Sequence, residues 1–401
     1  MDKNSRIVII GAGLFGLSTA KQLATEGHQH VPDGSSSDIS RVIRFDYGNE
    51  EYLSIAYDAY LEWSRNPKYE GIFYSAPYIL AGSKRPDDES WLDRTTAHGA
   101  LAEPSFVGYV NEQGGWADAS KAIRQLRDEC LELGVSFTCG PAGTVVSFDT
   151  NSQGKIRAAR ALDGSSIQGD HFILAAGAWG STLVPMYNSV LSTAQVLAYL
   201  RLTDAEMHKY KDLPIYANFT TGWFNFPPHQ DTKLLKFAVH GWGYTRSPSE
   251  SQKSNTSVPP LACHERVNFA PEDGEHRLRQ GLREILPEIA DRPFERTAMC
   301  WYTDTPSGDY IMDYHPDYTN LFIGGAGSGH AFKFLPVLGK YMSLAIKQQP
   351  PTSLAQKWRF RNRYENRKDA FLGDGSRGGP ERRELTAYER AKLEGLDRAK
   401  L

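Results

Sequence analysis

The stretch that most restricts the fold is RIVIIGAGLFGLSTAKQLATEG, residues 6–27. Arg6 to Ile10 is a short run rich in β-branched side chains, which suits a strand. Leu17, Ala20, Leu23 and Ala24 then recur at helical spacing, and Gly27 follows as a stop signal. Between them Gly11, Gly13 and Gly16 stand as GxGxxG. In a strand–turn–helix setting the first glycine permits the turn. The second lets a pyrophosphate approach the backbone, and the third lets helix and strand pack closely. The phosphates then lie at the positive end of the helix. The pattern predicts a dinucleotide site; a tight turn without a ligand is the plainer alternative.

Such a site also needs an acidic residue about twenty positions further on, at the end of a second strand, to hold a ribose. The segment there is TEGHQHVPDGSSSDISRVIRFDYG, residues 25–48, and it has little strand character. Asp33 has roughly the right spacing, but Pro32 precedes it and Gly34 follows. Proline removes a ladder donor, so only His28 to Val31 are expected to pair. Either Asp33 caps a stunted strand and holds the ribose, or a strand of about ten residues, judged from the usual βαβ length, is missing between His30 and Pro32.

Further along, residues 51–63 and 121–135 read as amphipathic helices, the second with Gly134 at its end. Strands are expected over 143–150 and 155–167 around the turn NSQG, and over 170–180, where an apolar run meets glycine. Residues 186–296 are richer in aromatics, proline and polar loops, with a surface loop over 246–260. Strand–glycine–helix texture returns over 297–345, and a basic tail follows from Gln348, its last stretch a charged helix. This order suggests a nucleotide-binding domain of distant segments, 1–60, 110–185 and 297–401. A substrate domain, 61–109 and 186–296, is inserted between them.

The 401 residues, 40% of them hydrophobic, suffice for two domains or one large body. A formal net charge of −3 gives no reason to expect nucleic acid or an anionic membrane surface as partner. No apolar run is long enough to cross a bilayer, and no signal-peptide cleavage pattern is read at the N-terminus. Small-molecule chemistry is the default, by a protein expected to be a monomer. Cys130, Cys139, Cys263 and Cys300 show no zinc-type spacing. Cys130 and Cys139 can pair, but two reduced buried thiols are the simpler reading. Ala399-Lys400-Leu401 is similar to the Ser-Lys-Leu address read by the peroxisomal import receptor, which points to the peroxisome, with the cytoplasm as alternative.

Three stretches carry a resemblance to a known family. They are PDGSSSDISRVIRFDYG, MCWYTDTPSGDYIMDYHP … FIGGAGSGHAFKFLP, and the tail DGSRGGPERREL. They resemble the FAD-dependent amine oxidases of the sarcosine oxidase family, nearest to the fungal branch of fructosyl amino acid oxidases (amadoriases) and saccharopine or pipecolate oxidases. The resemblance runs over nearly the whole chain. In that family a full strand ending in an acid precedes the PDGSSSD-like segment, so by resemblance Asp33 matches the later segment and not the ribose acid.

The resemblance implies FAD, tethered through a thioether to Cys300, with Tyr302 facing the substrate on the same side of a strand. Gly11, Gly13, Gly16, Ser36, Ser37 and Arg41 are implied to bind the cofactor, Val146 to lie beside its adenine and Gly177 to close over it. Gly327, Gly329, Phe332 and Lys333 are implied to lie along the flavin. Lys333 and Arg44 would hold the substrate carboxylate, a role that suits the bidentate guanidinium. At a spacing of three, Arg41 and Arg44 share a face in a helix and diverge in a regular strand. Lys236 is implied to sit above the flavin, where a fixed cation favours electron transfer to oxygen. His240 lies four residues on, so in a strand it shares the face of Lys236. The plain alternatives are solvated arginines, a surface lysine and a structural histidine.

The expected fold is α/β with α+β character: a Rossmann-like FAD domain of discontinuous segments and an inserted mixed-sheet substrate domain, with the second strand cut short. The implied activity oxidises the C–N bond of a secondary-amine amino acid to an imine, with O2 reduced to H2O2. A non-catalytic or FAD-deficient family member is the alternative, because of the shortened strand. An NAD-dependent dehydrogenase shares the glycine pattern but leaves Cys300, Lys333 and Lys236 unexplained.

Overall fold

The computed structural model describes residues 4–26, 29–33, 38–83, 101–103, 106–247, 257–260, 267–361 and 375–394. Ser36, Ser37, Cys263, most of the expected loop over 246–260 and Ala399-Lys400-Leu401 lie outside the described residues.

A five-stranded sheet carries the glycine-rich turn. Its order is Ile311–Tyr314, Leu321–Gly325, His171–Leu174, Arg6–Ile10 (β1) and Gln29–Asp33 (β2). All neighbours run parallel except the first pair. Ile7 and Ile9 pack towards α1 (Leu14–Thr25) and the helix Leu335–Ile346, whereas Val8 and Ile10 pack under a three-stranded antiparallel sheet formed within residues 145–168. Burial on both faces is why Ile7 to Ile10 is apolar throughout and does not alternate. The expected helices are Glu50–Arg65, capped by the Asn49 side chain, and Ala119–Glu132, capped by Asp118.

The second strand differs from its expectation. Pairing runs in register from Arg6 opposite Gln29 to Ile10 opposite Asp33, passing through Pro32 opposite Ile9. It extends two residues beyond the limit read from the proline. β2 is the last strand of the sheet among the described residues. On an edge strand, one side has no ladder to lose, and proline is tolerated there.

The second large unit is a ten-stranded sheet. Its spine, Leu191–Arg201, pairs antiparallel with Arg296–Asp304 and with Leu234–Val239. Sheet pairing places Arg296–Asp304 and Arg383–Glu384 here, although the sequence division grouped residues 297–401 with the nucleotide-binding segments. The reason is visible in Ala298, Cys300 and Tyr302 alternating with Met299 and Trp301. That is a strand with two different faces, and the glycine-rich texture starts only after Asp304. Val196, Ala198, Leu235, Phe237 and Met299 pack with Leu278 and Leu282 of the helix Glu272–Ile285. With a period of two, their alternates Leu197, Tyr199, Lys236, Ala238 and Cys300 fall on the opposite face.

Candidate active site

That opposite face is one wall of a cavity of about 990 Å³, counting its mouth. The register sets Lys236 directly against Tyr199, Cys300 against Gln195 and Tyr302 against Thr193. Lys236 on one strand and Cys300 and Tyr302 on another line the cavity, as even spacing requires, and so does His240, one residue past the end of Leu234–Val239. His240 Nδ1 lies 3.4 Å from the Tyr302 hydroxyl, and His240 Nε2 lies 3.0 Å from Ser376 Oγ. Burial pushes the Tyr302 phenol up to about 12, opposed by the nearby Arg377 cation, so the ring stays protonated at neutral pH.

The facing wall comes from the strand Arg41–Ile43 and the turn Phe332–Phe334. Arg41 and Arg44 both line the cavity. The strand stops at Ile43, before Arg44, so the divergence of a regular strand does not apply. Arg44 is buried; its guanidinium donates to the Asp46 carbonyl and lies 5.4 Å from the Tyr47 ring centre and 5.5 Å from that of Tyr78. Lys333 is 5% exposed and donates to the Tyr47 hydroxyl and the His330 carbonyl, both at 2.9 Å. Two cations thus converge beside a polarisable tyrosine, a setting that suits a carboxylate. Phe332 lines the same wall and stacks on Trp63.

Lys236, buried at the cavity edge, donates to Asp38 Oδ2 at 2.7 Å and to the Ser40 carbonyl at 2.6 Å. Arg41 donates to the same carboxylate and lies 3.9 Å from Cys300 Sγ through its Nη2. Burial lowers the Lys236 ammonium to about 8; Asp38 opposes the drop and Arg41 adds to it.

The chain offers a cradle that fits FAD. A Cβ on Gly11 (φ +110°) would stand 2.4 Å from the Ala175 carbonyl oxygen, and one on Gly16 would stand 1.7 Å from the Gly11 carbonyl oxygen. Gly13 begins α1 with no side-chain cap and no acid in the first turn, so the helix N–H groups are open to a phosphate. Asp33 closes β2 opposite Ile10, the residue before Gly11. This is the position the spacing rule gives the ribose acid, against the match the resemblance preferred. A second hollow, of about 300 Å³, is lined by Gly177, Ala326 and Thr303, the residue that follows Tyr302. The fully buried Ser40 hydroxyl has no hydrogen-bond partner among the described residues. Gly329 (φ +77°) could not carry a Cβ, which would meet the Tyr302 ring at 2.7 Å; on Gly327 it would crowd Ala331 and Phe15. Val146 is 42% exposed at the start of the small antiparallel sheet and does not line the cavity.

Sequence reading missed Asp38, Tyr47, Tyr199, His330 and the tail residues Ser376 and Arg377. Arg377 donates to Asp304 and its guanidinium lies 4.7 Å from the Tyr302 ring centre, so the tail forms part of the wall. All but Tyr199 fall within the stretches that carried the resemblance, and that was their only signal. Cys130 is buried and Cys139 is exposed, so the pair are not two buried thiols, and neither is in a disulfide.

Comparison with known proteins agrees with this geometry. The family model described as "DAO: FAD dependent oxidoreductase" matches residues 6–344. The chain is 27% identical to L-saccharopine oxidase of Schizosaccharomyces pombe, over 88% of this chain and 93% of that one. It is 25% identical to human peroxisomal sarcosine oxidase, over 87% and 94%. The crystal structure of fructosamine oxidase (Amadoriase II) from Aspergillus fumigatus superposes with a TM-score of 0.82 at 25% identity, covering 96% of each chain. The chain therefore belongs to the DAO family of FAD dependent oxidoreductases.

Proposed function

We propose that the protein oxidises a secondary-amine amino acid at the carbon beside nitrogen, using FAD held by Gly11, Gly13, Gly16 and the hollow at Gly177 and tethered through Cys300. The observation that carries this reading is the convergence of Arg44 and Lys333 on the cavity that Cys300 and Lys236 line from the other side. When bound, FAD supplies the hydride acceptor and passes both electrons to O2, giving H2O2. Arg44 and Lys333 hold the substrate carboxylate. Tyr302 and His240 bound the space left for the amine and its substituent. The amine nitrogen must be unprotonated for hydride to leave its neighbouring carbon. The resulting imine is then hydrolysed by water to an amine and a carbonyl compound. Lys236 presents positive charge where dioxygen becomes negative. The relatives' names support saccharopine, sarcosine and fructosyl amines as candidate substrates. A peroxide-forming reaction and the human relative's name also support a peroxisomal setting.

The FAD-deficient alternative rested on the shortened second strand, and β2 pairs along all five residues of β1. The test is a visible spectrum before and after acid precipitation, with peroxide release over sarcosine, pipecolate, saccharopine and fructosyl amino acids. Yellow colour that stays with the precipitate and peroxide from one of these classes is expected. Colourless protein sinks the reading, and nicotinamide-dependent turnover without peroxide replaces it with a dehydrogenase.

A further inference from the structure

We infer that Asp38 and Tyr199 are positioning residues that hold Lys236 as a fixed cation on the cavity wall, at the place where dioxygen is reduced. This rests on the reading of Lys236 given above and assigns what keeps that lysine charged and aimed. Lys236 has three N–H donors. Among the described residues it uses two, on Asp38 Oδ2 and the Ser40 carbonyl. The other carboxylate oxygen of Asp38 accepts from the Tyr199 hydroxyl at 2.8 Å and from the Ile39 amide at 2.7 Å. Tyr199 is the ladder partner of Lys236, so both side chains rise from the same face of the sheet. The carboxylate is thus fixed by groups from two elements, and it in turn fixes the lysine.

Charge balance points the same way. Asp38 faces two cations, Lys236 and Arg41, so the cluster keeps a net positive charge beside the cavity. The other groups facing Lys236 are Cys300, whose sulfur is taken up by the proposed flavin link, the Tyr199 phenol and the Phe226 ring, whose centre lies 4.8 Å from Nζ. The Arg296 guanidinium lies 5.9 Å from the Tyr199 ring centre. Without Asp38, a buried lysine next to an arginine releases its proton. A purely structural ion pair has no need to line the cavity, and this one does.

The test follows the pH dependence of two half-reactions. In the wild type, reoxidation of the substrate-reduced enzyme by O2 falls as pH rises through about 8, where Lys236 loses its proton. Asp38→Asn moves that falling limb down by about one unit or more, so reoxidation at pH 8, where the wild type is already half deprotonated, slows about fivefold or more. Anaerobic reduction by substrate stays within about twofold, and Asp38→Glu restores part of the limb. Independently of turnover, competitive acetylation of lysines with acetic anhydride, read by mass spectrometry, locates the Lys236 titration in each protein. Its midpoint moves down with Asp38→Asn. Should that variant not fold, Tyr199→Phe decides, with reoxidation slowed several-fold and reduction unchanged. An unmoved limb, a moved limb without a moved acetylation midpoint, or unchanged reoxidation in Tyr199→Phe overturns the inference. Lys236→Met separates the two levels. If it fails to slow reoxidation selectively, the role of Lys236 itself falls; if it does slow it and Asp38→Asn shifts nothing, only the present inference falls.

Discussion

Tyr47 shows how much one side chain settles. His330 Nε2 lies 2.8 Å from the Gly308 carbonyl, which can only accept, so Nε2 carries the hydrogen. In the neutral ring Nδ1 then accepts, with the Tyr47 hydroxyl at 2.9 Å and the Tyr310 hydroxyl at 3.0 Å. The Tyr47 phenol oxygen receives Lys333, while its ring lies beside the Arg44 guanidinium. Tyr47→Phe keeps the ring and removes the anchor of Lys333. One hydrogen bond to a charged group is worth roughly 1.5–3 kcal/mol. Steady-state kinetics should therefore show KM for carboxylate substrates rising about tenfold or more, with kcat within about threefold. Equal losses in kcat and KM would contradict a binding role. Glycines give a second contrast. Gly16→Ala drives a methyl group into the Gly11 carbonyl and should prevent folding or lower Tm by more than about 10 °C. Gly71→Ala, at φ +71° with open space around it, should cost only about 1–2 kcal/mol, the strain of the left-handed region. Thermal unfolding distinguishes them.

Among the elements, the helix Ala119–Glu132 is tied to the large sheet through its first residues. Asp118 Oδ1 accepts from the Lys121 amide as an N-cap, and Oδ2 lies 3.1 Å from His229 Nε2. Burial raises the Asp118 carboxyl, but the His229 and Lys121 hydrogen bonds outweigh it, and the group sits below its ordinary 3.8. Folding thus favours the ionised form. The contribution is complete above about pH 4 and is lost as pH falls through the depressed value. Asp118→Ala should lower stability by about 2–4 kcal/mol at pH 7 and by less at pH 3, measured by urea unfolding at both pH values. A pH-independent loss would remove the carboxylate from the explanation. The same elements show what was legible beforehand. RIVII and its glycines were readable because steric demands there admit few residues. Lys236 with His240, and Cys300 with Tyr302, were readable because strand spacing is local. The extent of β2 was not, since proline's penalty depends on an edge position known only from sheet order. Asp38 was not, because its partner Lys236 lies 198 residues away. The placement of Arg296–Asp304 depended on pairing with a strand about a hundred residues earlier.

At the scale of the molecule, the glycine turn belongs to the five-stranded sheet and Cys300 to the ten-stranded one. A dinucleotide with its pyrophosphate at that turn and its ring tethered at Cys300, as proposed, touches both. Its binding then stabilises the folded chain as a whole and not one half of it. A ligand that binds only the native state adds RT ln(1 + [L]/Kd), about 4 kcal/mol at a thousandfold excess over Kd. A tethered cofactor cannot dissociate, so its stabilisation does not depend on free ligand. Cys300→Ala should therefore release its flavin into the supernatant on acid precipitation. Its Tm should also climb with the logarithm of added FAD, in a single transition reporting both sheets. The wild type should show one Tm at every FAD concentration. The Cys300→Ala curve should approach the wild-type value from below as FAD is added, because the mutation removes the proposed sulfur link and not the cradle around Gly11, Gly13 and Gly16. Two separate transitions in Cys300→Ala, only one of them FAD-dependent, would mean that the cofactor is held by one sheet alone. The proposed span of the cofactor from the glycine turn to Cys300 would then be wrong.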